Sequence, residues 1–402
     1  MTKLNGLCGN TLKADSLDAK SFVFQIPPDR TFSEYYDLGR EIGKGSFGSV
    51  FECQVAAKKP IKQSLWQRLT SRFSNDTKHA KSSLAVPLAC KVLSKARIET
   101  QGWIERFGIQ GLSAALNHSH PNVVQYFQFL EDSDKMYVIM SRFSGSDLFD
   151  FVIDNRPLSE QDIRRLLRQI LSAVSFVHSL HCIHRDIKTE NFVFEQGKLK
   201  LVDFGSCEWD NERDEEVAPG SMQIASVLRT KPRSVVGTTG YCAPETFIHL
   251  YDEKVDVFSV GVILFILATG QMPFECRTVQ QYVKSLENAK EMGLWTVLNV
   301  KGDRLKGRSD GLRDLLEKML ALDPGQRWNA QAALGHEWLV TGNFSSVVQT
   351  TSHSTSPVLC QCSLLTRVDA GCQTEEHSGR HSHVDDSAPK LRRIQTFGSK
   401  WF

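Results

Sequence analysis

The chain has 402 residues, is 41% hydrophobic and 23% charged, and carries a formal net charge of +2. That length exceeds what one core usually takes and calls for two lobes or a domain with tails, while the near-neutral balance excludes a general pull towards nucleic acid or an anionic membrane surface. Ten cysteines scattered through apolar segments argue for reduced thiols in a soluble cytoplasmic or nuclear protein and against a disulfide framework.

In chain order, the first twenty residues lack the apolar core of a secretory leader. Residues 1–35 read as a flexible polar arm, with Pro27 and Pro28 near its end. From Tyr36 to Cys53, "YDLGREI" and "SVFEC" predict two strands around the turn "GKGSFG". Residues 55–83 break the pattern, with seven Lys or Arg against a single Asp, and read as a basic insertion. A strand is expected over Leu84–Val92, then a helical stretch to about Asn117. Strands at Val123–Leu130 and Met136–Met140 follow, joined by "EDSDK". Beyond them, Ile163, Leu166, Leu167, Ile170, Leu171, Val174 and Val177 recur at helical spacing within Gln161–Ser179. Further helices are expected at 255–269, 311–320 and 329–335. The first of these, "VDVFSVGVILFILAT", is too short to span a membrane and contains Asp256, so it predicts a buried core helix and no transmembrane segment. Strands first and helices later predict an α+β protein. Residues 340–402 are rich in Ser, Thr and His without periodicity and read as a disordered tail.

The chemistry concentrates in two short stretches. "HRDIKTEN" sets a carboxylate at Asp186, an ammonium at Lys188 and an amide at Asn191; "LVDFGS" adds a second carboxylate at Asp203. Moving a phosphoryl group needs little covalent help, but it does need an oriented acceptor hydroxyl, charge compensation and a divalent cation. Mg²⁺ prefers hard oxygen ligands, which Asn191 and Asp203 supply. Apolar residues flank both stretches, so the two are expected to pair as short strands beside a cleft.

These motifs, in this order, resemble the eukaryotic serine/threonine protein kinases over residues 36–339. The resemblance implies a bilobal fold, with a small antiparallel sheet lobe carrying one helix and a large, mainly helical lobe. It implies ATP and Mg²⁺ as cofactors and protein Ser/Thr hydroxyls as substrates. Ile42, Gly43, Lys44, Gly45, Ser46, Phe47, Gly48, Ser49 and Val50 match the glycine-rich loop over the nucleotide. Lys91 in "LACKV" matches the lysine of the third strand; Lys58 in "VAAK" lies too soon after Gly48 for a strand, a turn and another strand. Asp186, Lys188 and Asn191 take the catalytic positions, and Asn191 and Asp203 those of the metal ligands. Met140 aligns with the gatekeeper, residues 141–143 with the hinge and Asp147 with a ribose contact. Asp256 is implied to brace the catalytic loop and Arg327 to pair with Glu245. Lys188 with Thr238 resembles serine/threonine rather than tyrosine kinases, and "DPGQRWNAQAALGHEWL" resembles the calcium/calmodulin-dependent group, which implies basophilic substrates.

One position departs from the pattern. The small-lobe helix should offer Lys91 a glutamate, and the count lands on Ile109 or Gln110, with Glu105 one turn early. A catalytically silent scaffold is therefore the alternative reading. Regulatory candidates are Ser234, whose phosphate would meet Arg185, and Thr396 in "LRRIQTF" as a self-substrate. Within 58–73, Ile61, Leu65, Leu69 and Phe73 fall four apart beside Arg68 and Arg72, which resembles a calmodulin-target or membrane-surface helix; the plain alternative is a basic loop. Cys360, Cys362, Cys372, His377, His381 and His383 match no zinc-finger spacing.

Overall fold

The structure, a computed structural model, describes residues 23–44, 48–56, 87–96, 114–209, 237–249, 251–299 and 302–341. The expectations for 58–73, Glu105, Gln110, Ser234, Thr396 and the tail beyond 341 lie outside these residues.

The small lobe is one six-stranded sheet. Its strands are β1 (Val23–Gln25), β2 (Tyr36–Lys44), β3 (Gly48–Val55), β4 (Leu88–Ser94), β5 (Tyr126–Glu131) and β6 (Lys135–Ser141), in the order β1-β5-β6-β4-β3-β2. β2–β3 and β5–β6 are antiparallel neighbours in sequence order. β1 corrects two expectations. It runs parallel to β5, with Val23 opposite Phe129, so the sheet is mixed and not wholly antiparallel. It also takes Val23–Gln25 out of the expected arm: Val23, Ile26 and Phe32 are buried, and Phe32 stacks on Tyr137 at 4.0 Å. Burying those apolar groups is what holds so short a strand in place. The strand expected from Val123 begins instead at Tyr126. Val123 and Val124 reach across to Leu201, Val124 donating its N–H to the Leu201 carbonyl at 2.9 Å. Residues 114–117 are the described end of the expected helical stretch.

The large lobe is helical: α1 (Leu148–Asn155), α2 (Glu160–Ser179), α3 (Lys254–Thr269), α4 (Val279–Met292), α5 (Leu294–Leu298), α6 (Asp310–Met319), α7 (Ala330–Leu334) and α8 (Glu337–Val340). Ser159 caps α2, accepting from the Asp162 N–H, and the seven apolar residues named from its periodicity are all buried. α3 is buried on every side from Val255 to Ala268 and forms the lobe's axis. It stops at Gly270, whose φ of 69° is open to glycine at little cost. Among the described residues no helix is long and apolar enough to cross a membrane. The six described cysteines are free, four of them buried.

Between the lobes run short strands that carry the chemistry. β7 (Cys182–Ile183) pairs with β10 (Glu208–Trp209), and β8 (Phe192–Glu195) pairs with β9 (Lys198–Leu201). Residues 184–191 are thereby held between β7 and β8, and residues 202–207 between β9 and β10.

Candidate active site

Asp256 organises the site from below. It sits in the first turn of α3, 1% exposed, and its Oδ2 accepts from the His184 backbone N–H at 2.8 Å and from His178 Nε2 at 2.9 Å. Its Oδ1 accepts from the Arg185 N–H, also at 2.8 Å. Burial alone would raise this carboxyl, but the hydrogen bond and charge of His178, with further help from His184, hold it below the usual carboxylate range. A buried carboxylate on a rigid helix thus fixes two successive amides of the loop above it, and it lets Arg185 keep a φ of 64°.

His184 faces the other way. Its Nδ1 accepts from the Asp186 N–H at 3.3 Å, which leaves Nε2 to donate to the Val202 carbonyl, also at 3.3 Å. That pattern requires a neutral ring. Burial depresses its pKa despite the nearby Asp256, Asp186 and Asp203. The His184 ring packs edge-on against Phe204 at 4.9 Å, and Phe204 meets Tyr126 of β5 at 6.0 Å. Nothing in the sequence singled out Tyr126.

Asp186 is oriented by three donors. Lys188 Nζ reaches its Oδ2 at 2.8 Å, Asn191 Nδ2 reaches the same oxygen at 3.2 Å, and the Thr238 hydroxyl reaches Oδ1 at 2.7 Å. Lys188 also donates to Thr238 Oγ1 at 2.9 Å. The Asn191 amide nitrogen further donates to the Asp186 carbonyl at 2.7 Å, which fixes the amide so that Oδ1 points elsewhere.

Asp203 is a left-handed residue, φ 59°, between β9 and the helical turn Phe204–Ser206. Its Oδ1 accepts from Lys91 Nζ at 2.5 Å and from the Gly205 N–H at 3.3 Å. Lys91 lies on β4, between Val50 of β3 and Val138 of β6. The Lys91 charge, ahead of opposing burial, holds the Asp203 carboxyl at about 2. The lysine of the third strand and the second carboxylate are therefore in contact.

Ile42, Gly43 and Lys44 end β2, and Gly48, Ser49 and Val50 open β3; Gly45, Ser46 and Phe47 lie outside the described residues. Gly48 is required by packing, because a Cβ there would fall 1.9 Å from the Val92 carbonyl oxygen. Asp147 caps α1, its Oδ1 accepting from the Asp150 N–H at 2.9 Å.

The residues present suit a divalent cation. Asp203 is ionised, and no donor among the described residues hydrogen-bonds its Oδ2 or the Asn191 Oδ1. Two hard oxygens of this kind suit Mg²⁺, which keeps its remaining positions for water and phosphate and does not need an all-protein cage.

Comparison with known proteins accords with this geometry: the profile of the protein kinase domain matches residues 72–339. The chain belongs to the protein kinase family. Residues 23–56 precede that match, yet their strands complete the same sheet as β4. The chain is 30% identical to calcium-dependent protein kinase 3 of Plasmodium yoelii yoelii, over 76% of this chain and 48% of the relative. It is 28% identical to calcium-dependent protein kinase 14 of Arabidopsis thaliana, over 82% and 54%. It is 30% identical to calcium/calmodulin-dependent serine/threonine-protein kinase 1 of Oryza sativa subsp. japonica, over 77% and 45%. The chain spans about half the length of the curated relatives it matches. Kinases of this family typically use ATP and Mg²⁺.

Proposed function

We propose that the chain is an ATP- and Mg²⁺-dependent serine/threonine protein kinase. The observation that carries this reading is the Asp186 carboxylate, clamped between Lys188 and Thr238 and bonded by Asn191, with the Lys91–Asp203 pair on the next loop. Asp186 accepts the proton of the acceptor hydroxyl as that oxygen bonds to the γ-phosphorus and the bond to the departing diphosphate breaks. Lys188 holds Asp186 in place and offsets charge on the moving phosphoryl. Lys91, in contact with Asp203, would serve the nucleotide phosphates. Asn191 and Asp203 would hold Mg²⁺, which neutralises phosphate charge when bound. The strand ends at 42–44 and 48–50 would cover the nucleotide, and Asp147 would reach the ribose. The scaffold alternative is disfavoured because the acid, the amide and both lysines are all present and in register.

Protein substrates with basic flanks, and a calmodulin or membrane contact through 58–73, remain part of the proposal from sequence. The experiment is a peptide library with Ser, Thr and Tyr acceptors, incubated with Mg²⁺-ATP and read by mass spectrometry. Phosphate on Ser and Thr is expected. Phosphate on Tyr alone would overturn the residue class, phosphate only on acid-flanked or Pro-followed sites would overturn the basophilic assignment, and none at all would return the scaffold reading.

A further inference from the structure

Arg185 precedes the proposed base and carries a buried guanidinium, its side chain 2% exposed. Its Nε donates to the Ser206 carbonyl at 2.7 Å. Its Nη1 donates to the Glu208 carboxylate and, at 3.2 Å, to the Tyr251 hydroxyl. Its Nη2 is sealed from solvent, without an acceptor among the described residues. The adjoining cavity, lined by Arg185, Cys242, Thr246, Tyr251, Asp256 and Ser259, is about 10 Å³, room for a water-sized guest and not for a phosphate group. Glu208 comes to this place by backbone register: it pairs across β10–β7 with Ile183, one residue before His184. The other limb of the segment closes on the same residue, since a Cβ at Gly237 would fall 2.7 Å from the Arg185 carbonyl. Thr238, next in sequence, holds Asp186.

We infer that Glu208 is a positioning residue for the transfer reaction, supplying from within the chain the negative charge that holds Arg185, and through it the catalytic loop, so that activity does not wait on a phosphate in the segment between Gly205 and Gly237. The sequence had suggested Ser234 as the source of that charge. A phosphate arriving at Arg185 would have to displace Glu208 or lie against its carboxylate, and like charges at such range repel. The internal ion pair needs no modification: it forms when β10 pairs with β7. This inference rests on the kinase reading of the site.

The test begins with the full chain, treated with phosphatase until mass spectrometry finds no phosphate and then assayed over a time too short for rephosphorylation. The initial rate should stay within about twofold of the untreated enzyme, and Ser234→Ala should do the same. Glu208→Gln keeps the shape and removes the charge; its kcat should fall about tenfold or more with the KM for ATP little changed. Glu208→Asp should recover part of that loss, a rescue that a purely structural role would not give. A thermal unfolding scan of each variant separates loss of fold from loss of rate. A dephosphorylated enzyme or a Ser234→Ala variant slowed about tenfold would overturn the inference, as would an unchanged kcat in folded Glu208→Gln. No transfer by the untreated wild type would instead overturn the kinase reading itself.

Discussion

At the scale of single residues, the site is a set of charges whose states follow from their neighbours. Lys91 lies on β4 in contact with Asp203, whereas Lys58 follows the end of β3 at Val55 too soon for a turn and a further strand. Lys91→Met should therefore cut transfer by about two to four orders of magnitude, and Lys58→Met should leave it near wild type. Equal losses in both would reopen the choice of lysine. His184 and His120 are both held neutral, burial lowering each below its ordinary 6.5. The unfolded chain binds these protons more readily than the folded one. Their contribution to stability is thus full above about 6.5 and is lost as the pH falls below it. The urea midpoint should be lower at about pH 5.5 than at about pH 7.5. A midpoint that rises on acidification would contradict a neutral His184. Asp203 acts in a lower window: its contribution is present above the unfolded value of 3.8 and disappears as the pH falls through about 2.

At the scale of elements, legibility depended on whether a segment carries its own period or its own chemistry. α2 was readable because its apolar residues repeat at helical spacing, and α3 because a continuous apolar run of that length needs a buried helix. The catalytic stretch was readable because it sets a carboxylate, an ammonium and an amide within six residues, Asp186 to Asn191. β1 was not readable, since three residues show no alternation and its partner lies more than a hundred positions away at Phe129. α4 was missed because Ser285 interrupts its buried face of Tyr282, Leu286 and Ala289. Glu208 is one of six acids among residues 208–216, and only the β7–β10 register tells it apart. The partner expected for Lys91, Gln110 or Glu105, lies outside the described residues. If β1 is an integral strand and not an arm, deleting residues 1–31 should lower stability by a few kcal/mol, about 1.5–3 for each large apolar group re-exposed. A truncated chain with an unchanged unfolding midpoint would show that β1 merely rests on the sheet.

At the scale of the whole molecule, one buried apolar cluster runs from Leu93, Phe129 and Val138 of the sheet into the helices of the large lobe, and side chains reach across it from both lobes. Lys91 from the sheet holds Asp203, Tyr126 from the sheet packs on Phe204, and Asp256 from the helical core fixes the loop at His184 and Arg185. In the large lobe, Arg327 makes a two-pronged pair with Glu245, Nη2 to Oε2 at 3.0 Å, with the arginine side chain fully buried. It ties the segment after Thr238 to the last helices. Removing one partner of such a buried pair leaves a bare charge, so Arg327→Ala should cost about 3–5 kcal/mol of stability and lower the melting temperature by several degrees. A negligible shift would mean that the pair is replaceable. The central claim is that Asp186 serves as the base in phosphoryl transfer to a hydroxyl. Its most direct measurement is the rate of ³²P transfer from γ-labelled ATP to a basic Ser/Thr peptide, wild type against Asp186→Asn, with ATP affinity measured alongside. Loss of about two to four orders of magnitude in kcat at nearly unchanged ATP affinity is the predicted result; transfer by the Asp186→Asn protein at the wild-type rate would contradict it.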